Sequence, residues 1–346
     1  MYSFKNDYSE GAHPRILEAM LHSNLTQNEG YGLDVHSLHA AELIKGAVGR
    51  EDVDIHFLVG GTQTNLLAIS SCLRPFQAAV CALTGHINVH ETGAIEGTGH
   101  KVLALPAADG KLTPALVEAC LLAHEDEHMV QPKLVYVSDS TEIGTIYSKA
   151  ELAALSAFCR GHGLFLYLDG ARLGSALTCA ENDLSLSDIA GLVDMFYIGG
   201  TKNGALFGEA LVIVNPALKE DFRFMIKNRG AMLAKGFVAG IQFEELFSDG
   251  LFFSLAKHAN EMAAILKEGV QEAGFSFRSD SPTNQLFPIL PDALVESLEQ
   301  DFSFYRQEKA DAGHTVIRLV TSWATPKEAV LSFLDSLNRR NAGLQK

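Results

Sequence analysis

Three short stretches of this chain set reactive side chains among small ones, one at what reads as a helix start and two at what read as the ends of strands. In Leu58-Val59-Gly60-Gly61-Thr62-Gln63-Thr64-Asn65, two glycines precede an apolar helix pattern over 66–73. Glycines let a backbone approach a ligand closely, and Thr62 can cap the helix while offering a hydroxyl. The free N–H groups and the dipole of a helix start favour a phosphate. The stretch has neither the Gly-Lys-Ser/Thr of a P-loop nor G-x-G-x-x-G spacing, so nucleotide binding is not supported. In Tyr167-Leu168-Asp169-Gly170-Ala171-Arg172, an apolar strand ends in an acid. Ligands of open α/β sheets sit outside the carboxyl ends of the strands, so Asp169 points toward such a site. In Ile198-Gly199-Gly200-Thr201-Lys202-Asn203-Gly204, a single lysine stands among small and polar residues, again after a strand. Each stretch alone has an ordinary reading: a helix N-cap, an aspartate capping the next turn, an exposed loop lysine.

Together they match one chemistry. A phosphate-binding helix start, a strand-end acid and a strand-end lysine fit pyridoxal 5'-phosphate. That cofactor needs a cradle for its phosphate, an acid to keep its pyridine nitrogen protonated, and a lysine to hold its aldehyde as a Schiff base. The lysine must shed its proton first, which burial near other cationic charge assists. Arg318 adds a fourth element, because it interrupts an apolar strand pattern over 316–320. A guanidinium there is costly unless paired; a carboxylate ligand supplies a partner, and a structural ion pair is the alternative.

With these residues in place, the chain resembles the fold-type-I enzymes of the threonine aldolase and β-eliminating lyase group. It is closest to the low-specificity L-threonine aldolase and phenylserine aldolase type. The resemblance runs from Asn6-Asp7 through Tyr31-Gly32, Gly60-Gly61-Thr62, His86, Asp169-Gly170-Ala171-Arg172 and Thr201-Lys202-Asn203-Gly204 to Ile317-Arg318-Leu319-Val320-Thr321-Ser322. It implies that Lys202 forms the Schiff base, Asp169 pairs with the pyridinium, and Gly60, Gly61 and Thr62 bind the phosphate. His86 corresponds to the histidine stacked on the ring. Arg172 and Arg318 would grip the substrate carboxylate, with Arg172 also counted among the cofactor-binding residues. Asn6 stands where many members have serine, which alters one contact to that carboxylate. A second active-site histidine of many members is replaced here within Asp139-Ser140-Thr141-Glu142-Ile143-Gly144-Thr145. That leaves the base for a β-hydroxyl open among His86, Glu91 and a water held by Thr141 or Glu142. Lys235 lies where a cationic residue near the phosphate or a partner subunit is expected.

The implied reaction is cleavage of a β-hydroxy-α-amino acid, of threonine, allo-threonine or phenylserine type, into glycine and an aldehyde. A β-eliminating lyase or an aminotransferase on the same scaffold is the alternative, and a non-catalytic cofactor-binding protein a more distant one. The resemblance also implies a homodimer or homotetramer with active sites at subunit interfaces. An N-terminal arm with Tyr8, Leu25 and Tyr31-Gly32-Leu33 among polar residues agrees, since it has too few apolar groups for its own core.

These groups need a rigid frame. Strand patterns over 78–83, 134–138, 164–168, 195–198 and 210–214 alternate with helix patterns over 62–73, 114–124, 149–160 and 186–191. That alternation predicts an α/β fold with a mostly parallel central sheet flanked by helices. Beyond residue 216 the texture changes to long helices over 217–228, 232–247 and 252–273. A small α+β tail follows, with strands over 275–278, 285–290 and 315–320 and helices over 292–300 and 327–338. The expected division is a large cofactor-binding domain with the N-terminal arm over 1–250 and a small C-terminal domain over 251–346.

Composition narrows the partners. The 346 residues include 27 Lys+Arg and 42 Asp+Glu, for a formal net charge of −15. Without clustered Lys/Arg, phosphate neutralisation on a nucleic acid is excluded. No apolar run reaches the length of a membrane span, and the polar residues 1–10 do not read as a signal peptide. The five cysteines are scattered in apolar stretches without C-x-x-C spacing. They read as reduced core residues of a cytoplasmic protein with no metal site.

Overall fold

A computed structural model describes residues 1–344. The central strands come from runs apolar on both faces, which only a sheet covered on two sides can bury. Phe165–Asp169, Met195–Gly199 and Glu209–Ile213 are such runs, the last two buried at every residue. In chain order the strands are β1 (Tyr2–Ser3), β2 (Asp54–Leu58), β3 (Gln77–Ala82), β4 (Lys101–Leu105), β5 (Gln131–Ser138), β6 (Phe165–Asp169), β7 (Met195–Gly199) and β8 (Glu209–Ile213). β2 to β8 form one sheet in the order β2-β8-β7-β6-β5-β3-β4. All neighbours are parallel except β8, which runs antiparallel to both β2 and β7. The expected mostly parallel sheet is therefore present.

Strand order places the carboxyl ends of β5, β6 and β7 side by side, with Ser138 opposite Asp169 in the β5–β6 register. One apolar core fills the face carrying Val80, Val135, Leu168 and Phe196; another fills the face carrying Ala79, Tyr136, Tyr167 and Tyr197. The alternation follows from side chains pointing to opposite faces along each strand. The helix Gly61–Cys72 lies on the second face, burying Leu67, Ala68 and Ile69.

A third core gathers Met262, Leu266, Leu294, Leu319 and Phe333, and also takes in Phe4 from the other end of the chain. It supports a four-stranded antiparallel sheet of β9 (Gln285–Leu286), β10 (Ile289–Pro291), β12 (Tyr305–Lys309) and β13 (His314–Val320). A short β11 (Phe302–Ser303) pairs in parallel with β1. The helix Leu251–Glu272 joins two cores: Phe252 and Leu255 pack under the large sheet, Leu266 and Val270 under the small one.

Several expected elements differ. Strands β2 and β4 were not legible as runs, and the strand expected over 275–278 is reduced to a bridge between Phe277 and Pro288. The helix expected over 217–228 is a short 3-10 turn, Pro216–Leu218, followed by Phe222–Asn228, with Asp221 between them at φ 58°. A left-handed residue cannot continue a right-handed helix. The N-terminal arm is helical over Pro14–Ser23 and Val35–Val48. The second of these packs on the helix Phe237–Ser248, where a Cβ at Gly240 would stand 2.5 Å from the Ser37 amide. Only glycine permits that approach.

Candidate active site

Two glycines bring the acid and the lysine together. A Cβ at Gly170 would run into the Tyr197 carbonyl oxygen, and one at Gly199 into the Ala171 carbonyl. With hydrogen atoms there instead, the ends of β6 and β7 close on each other, and Gly199 N–H donates to the Gly170 carbonyl at 3.0 Å. The loop after β7 then folds tightly: Asn203 N–H reaches the Gly200 carbonyl at 2.9 Å, and Gly204 turns at φ 90°. Lys202 sits half-buried in this loop. Burial and the Arg172 guanidinium hold its ammonium below the ordinary lysine value, against the pull of Asp7, Asp169 and Glu209. The amine is thus disposed to lose its proton.

Asp169 is buried at the end of β6. Tyr136 Oη donates to its Oδ2 at 2.7 Å, Asn65 Nδ2 to the same oxygen at 2.9 Å, and Ala171 N–H to Oδ1 at 3.0 Å. Burial alone would raise this carboxyl, but His86, the Tyr197 and Tyr136 hydroxyls and Asn65 outweigh it and keep it below its ordinary value. An ionised carboxylate is therefore retained in a dry place. His86 follows β3, and its Nδ1 lies 2.8 Å from Glu91 Oε1. Asn65 Nδ2 donates to that same oxygen at 2.7 Å. The His86 N–H donates to Glu142 Oε1 at 2.9 Å, and Ser138 Oγ lies 2.7 Å from it and 3.2 Å from Tyr136 Oη. His86, Glu91, Asn65, Asp169, Tyr136, Ser138 and Glu142 thus close a ring of hydrogen bonds. Such a ring fixes the orientation of each member.

At the start of the helix Gly61–Cys72, Gly60 is the N-cap and no side chain caps it. The capping role expected of Thr62 is not realised: the helix begins one residue earlier, so Thr62 falls in its first turn with its side chain exposed. Thr64 N–H and Oγ1 both bond the Gly60 carbonyl at 3.0 Å. A Cβ at Gly60 would meet no protein atom within 4 Å, whereas one at Gly61 would approach Tyr197 Oη to 3.1 Å. Open backbone donors beside that space suit an anion.

The two arginines differ. Arg172 gives Nε to Asp7 Oδ2 at 2.7 Å and Nη2 to Asp7 Oδ1 at 3.0 Å. Arg318, on β13 opposite Tyr305, lies 5.1 Å above that tyrosine ring and reaches the Lys5 carbonyl with Nη2 at 3.4 Å. Its Nε is buried and without a partner among the described residues. Burial and the neighbouring Arg172 make its charge costly, and a carboxylate would relieve that cost. Asn6 accepts from Tyr8 N–H at 3.0 Å and from Ser9 Oγ at 2.9 Å with Oδ1. Lys235 is exposed in the turn before Phe237–Ser248, beside Ala234, whose carbonyl accepts from Tyr31 N–H at 3.2 Å.

Sequence reasoning missed Asp7, Glu209 and Asn284 as site residues. Asn284 Nδ2 donates to Asp7 at 2.9 Å. Glu209 is buried and accepts from Gly200 N–H at 2.9 Å and Thr201 Oγ1 at 2.8 Å, with its carboxyl pushed up to about 7 by burial. A lone acid opening the apolar run Glu209–Ile213 was the available signal.

The donor set fits pyridoxal phosphate: an uncapped helix start with open space at Gly60, a buried anion at Asp169, and a lysine with a depressed pKa. Comparison with known proteins agrees. The model of the beta-eliminating lyase family matches residues 6–293. The low specificity L-threonine aldolase of Pseudomonas aeruginosa is 32% identical over 94% of this chain and 94% of its own. The solved Leishmania major threonine aldolase is 53% identical, covers 99% of this chain and 100% of its own, and superposes with a TM-score of 0.98. An aspartate aminotransferase of Thermus thermophilus, 14% identical with a TM-score of 0.72 over 98% of this chain and 91% of its own, shares the fold. The chain belongs to the beta-eliminating lyase family, beside its low-specificity L-threonine aldolases.

Proposed function

We propose that this protein is a pyridoxal-phosphate-dependent aldehyde-lyase that cleaves β-hydroxy-α-amino acids of the threonine type into glycine and an aldehyde. The observation that carries this reading is that the Lys202 amine, within the pull of buried, ionised Asp169 at the strand ends of the large sheet, shares a charged neighbour, Arg172, with Arg318, whose Nε has no partner among the described residues. When bound, the cofactor takes up the electron pair of the bond broken at the substrate α-carbon and later releases it.

The chain's own groups do the rest. Lys202 Nζ would hold the cofactor covalently, and Asp169 would keep its ring nitrogen protonated. His86, locked by Glu91, would pack on the ring. Gly60, Gly61 and Thr62 offer backbone N–H groups to the phosphate. Arg318 takes the substrate carboxylate, assisted by Asn6 and by the N–H groups of Arg172 that Asp7 leaves free. Fixing that carboxylate orients the Cα–Cβ bond for cleavage.

Incubation with the cofactor and L-threonine, L-allo-threonine, phenylserine and serine tests this directly. Glycine plus the matching aldehyde is expected. Ammonia plus a keto acid would move the reading to β-elimination, and turnover of none of them to a binding protein.

The chain divides functionally near residue 250, a reading supported by the third core, which is built largely from residues 262–337. The assembly is a homodimer or homotetramer with shared active sites. Leu17 and Leu21 on one helix, Val35 and Leu38 on the next, and Phe224 are exposed large apolar groups suited to a subunit contact. Sedimentation across a dilution series, with activity followed in parallel, tests it; a fully active monomer would refute it. Free cysteines at all five positions support a reducing cytoplasmic setting, and among the described residues no helix is long and apolar enough to cross a membrane.

A further inference from the structure

Cleaving the Cα–Cβ bond of a β-hydroxy amino acid requires a group that accepts the hydroxyl proton. The candidates legible in sequence are each engaged on at least one atom, and the Glu91 oxygen without a partner among the described residues, Oε2, is buried. Glu91 Oε1 receives Asn65 Nδ2 at 2.7 Å and lies 2.8 Å from His86 Nδ1. Glu142 Oε1 receives the His86 N–H at 2.9 Å and Ser138 Oγ at 2.7 Å. Thr141 Oγ1 is 2.7 Å from Thr145 Oγ1. His86 itself is tied to Glu91 and lies against the cofactor ring in the reading above.

One helical turn further on stands a second imidazole. His90 ends the turn His86–Val89, and its N–H bonds the His86 carbonyl at 2.9 Å. The two rings lie 5.4 Å apart, tilted by 56°. His90 is exposed, and its ring takes part in no hydrogen bond among the described residues. The charged groups that act on it are His86, Arg318, Lys202 and Arg172, which are the residues that would hold cofactor and substrate. Partial burial first, and then the charges of His86, Arg318, Lys202 and Arg172, hold it below the ordinary histidine value, which favours the uncharged, accepting imidazole. A histidine whose ring lies 5.4 Å from that of His86, within electrostatic reach of Arg318, Lys202 and Arg172 and with no ring hydrogen bond among the described residues, is available to the part of the substrate beyond its α-carbon.

We propose that His90 is the catalytic base that takes the β-hydroxyl proton, in place of the histidine missing from 139–145; this rests on the aldolase reading above. The O–H bond breaks, its proton bonds to an imidazole nitrogen of His90, and its electron pair becomes the second bond of the aldehyde carbonyl. The Cα–Cβ pair stays on the α-carbon side and is recovered when a proton is delivered to Cα to give glycine. One proton is taken and one returned, so no other reactant is needed.

The test compares the wild-type holoenzyme with His90→Asn and His90→Phe. Two rates are measured: L-threonine cleavage, and exchange of the glycine α-proton in deuterated water, which involves no β-hydroxyl. Cleavage kcat should fall roughly 10²–10⁴-fold in both variants, the usual contribution of a general base. KM and glycine exchange should stay within a few-fold, and the acidic limb of the cleavage pH profile should vanish. In the cofactor-free protein, the NMR titration of the His90 ring should have its midpoint below the ordinary value of about 6.5. Cleavage at the wild-type rate in His90→Asn would overturn the proposal. An equal loss of cleavage and exchange would overturn it too, because that marks general damage to the site. A wild-type protein that exchanges glycine yet cleaves no hydroxy amino acid would instead refute the aldolase reading, and this proposal with it.

Discussion

Asp7, in the N-terminal arm, closes on Arg172, just beyond the end of β6. Its Oδ2 lies 2.7 Å from Nε and its Oδ1 3.0 Å from Nη2, while Asn284 Nδ2 donates to Oδ2 at 2.9 Å. Three distant segments meet in this one contact. Although burial alone would raise the Asp7 carboxyl, Arg172 and Lys202 together with the Arg172 and Asn284 donors keep it below its ordinary value. The pair takes up part of the Arg172 fork, so Arg318 is the guanidinium with more capacity left for a carboxylate.

Asp7→Ala should destabilise the protein by ~3–5 kcal/mol, because it leaves a buried guanidinium without its partner. The side chains of Arg172 and Asp7 are only 13% and 1% exposed, so solvent screening does little to reduce that cost. A depressed carboxyl contributes stability that is present above its unfolded pKa and lost as pH falls toward the native one. The gap between wild type and variant should therefore be full at pH 7 and narrow below the ordinary value of 3.8. Urea unfolding at a series of pH values measures it; a gap that does not change with pH would contradict the ionic account.

Borohydride reduction of the holoenzyme followed by peptide mapping should place the pyridoxyl group on Lys202. Lys202→Ala should abolish turnover while leaving the melting temperature near that of wild type. Arg172 contributes to the low pKa of this amine, so Arg172→Gln, which also frees the Asp7 charge, should raise it. The pH midpoint for cofactor capture by the cofactor-free protein, followed by absorbance, should then move upward. Labelling of another lysine would refute the assignment.

Arg318→Ala should raise KM for L-threonine about 10- to 100-fold, as expected for loss of a charged hydrogen bond of ~1.5–3 kcal/mol. Arg318→Lys should recover little, because an ammonium lacks the planar fork. An unchanged KM in both variants would remove Arg318 from the carboxylate site.

Gly170 and Gly60 separate stability from cofactor binding. At Gly170 a Cβ would collide with the Tyr197 carbonyl, so Gly170→Ala should cost at least ~1–3 kcal/mol through overpacking. At Gly60 a Cβ meets no protein atom within 4 Å. Gly60→Ala should therefore leave the cofactor-free protein as stable as wild type and weaken its affinity for pyridoxal phosphate. Fluorescence titration and chemical unfolding on the two variants check both halves.

Much of this protein is written in local pattern. Buried parallel strands are apolar on both faces, so Phe165–Asp169 and Met195–Gly199 announce themselves as runs, with the reactive residues just beyond them. Asp169 and Lys202 could be found because one ends such a run and the other stands just beyond one, and Gly60 because a glycine pair opens a helix pattern. Edge position hid the other strands: β2 and β4 end the sheet and are only partly buried, so Asp54–Leu58 and Lys101–Leu105 mix polar and apolar residues. Pairing was decided only in three dimensions. Nothing in the chain marks β8 as the single antiparallel strand of the large sheet, yet that reversal sets Glu209 opposite Gly199 at the root of the lysine loop. The bond from Asp7 to Arg172 and the electrostatic reach of Arg318 and Arg172 onto His90 likewise depend on which surfaces pack. A residue's neighbours along the chain determine its backbone preference, whereas charge partners in a buried site come from whatever segments the core brings together.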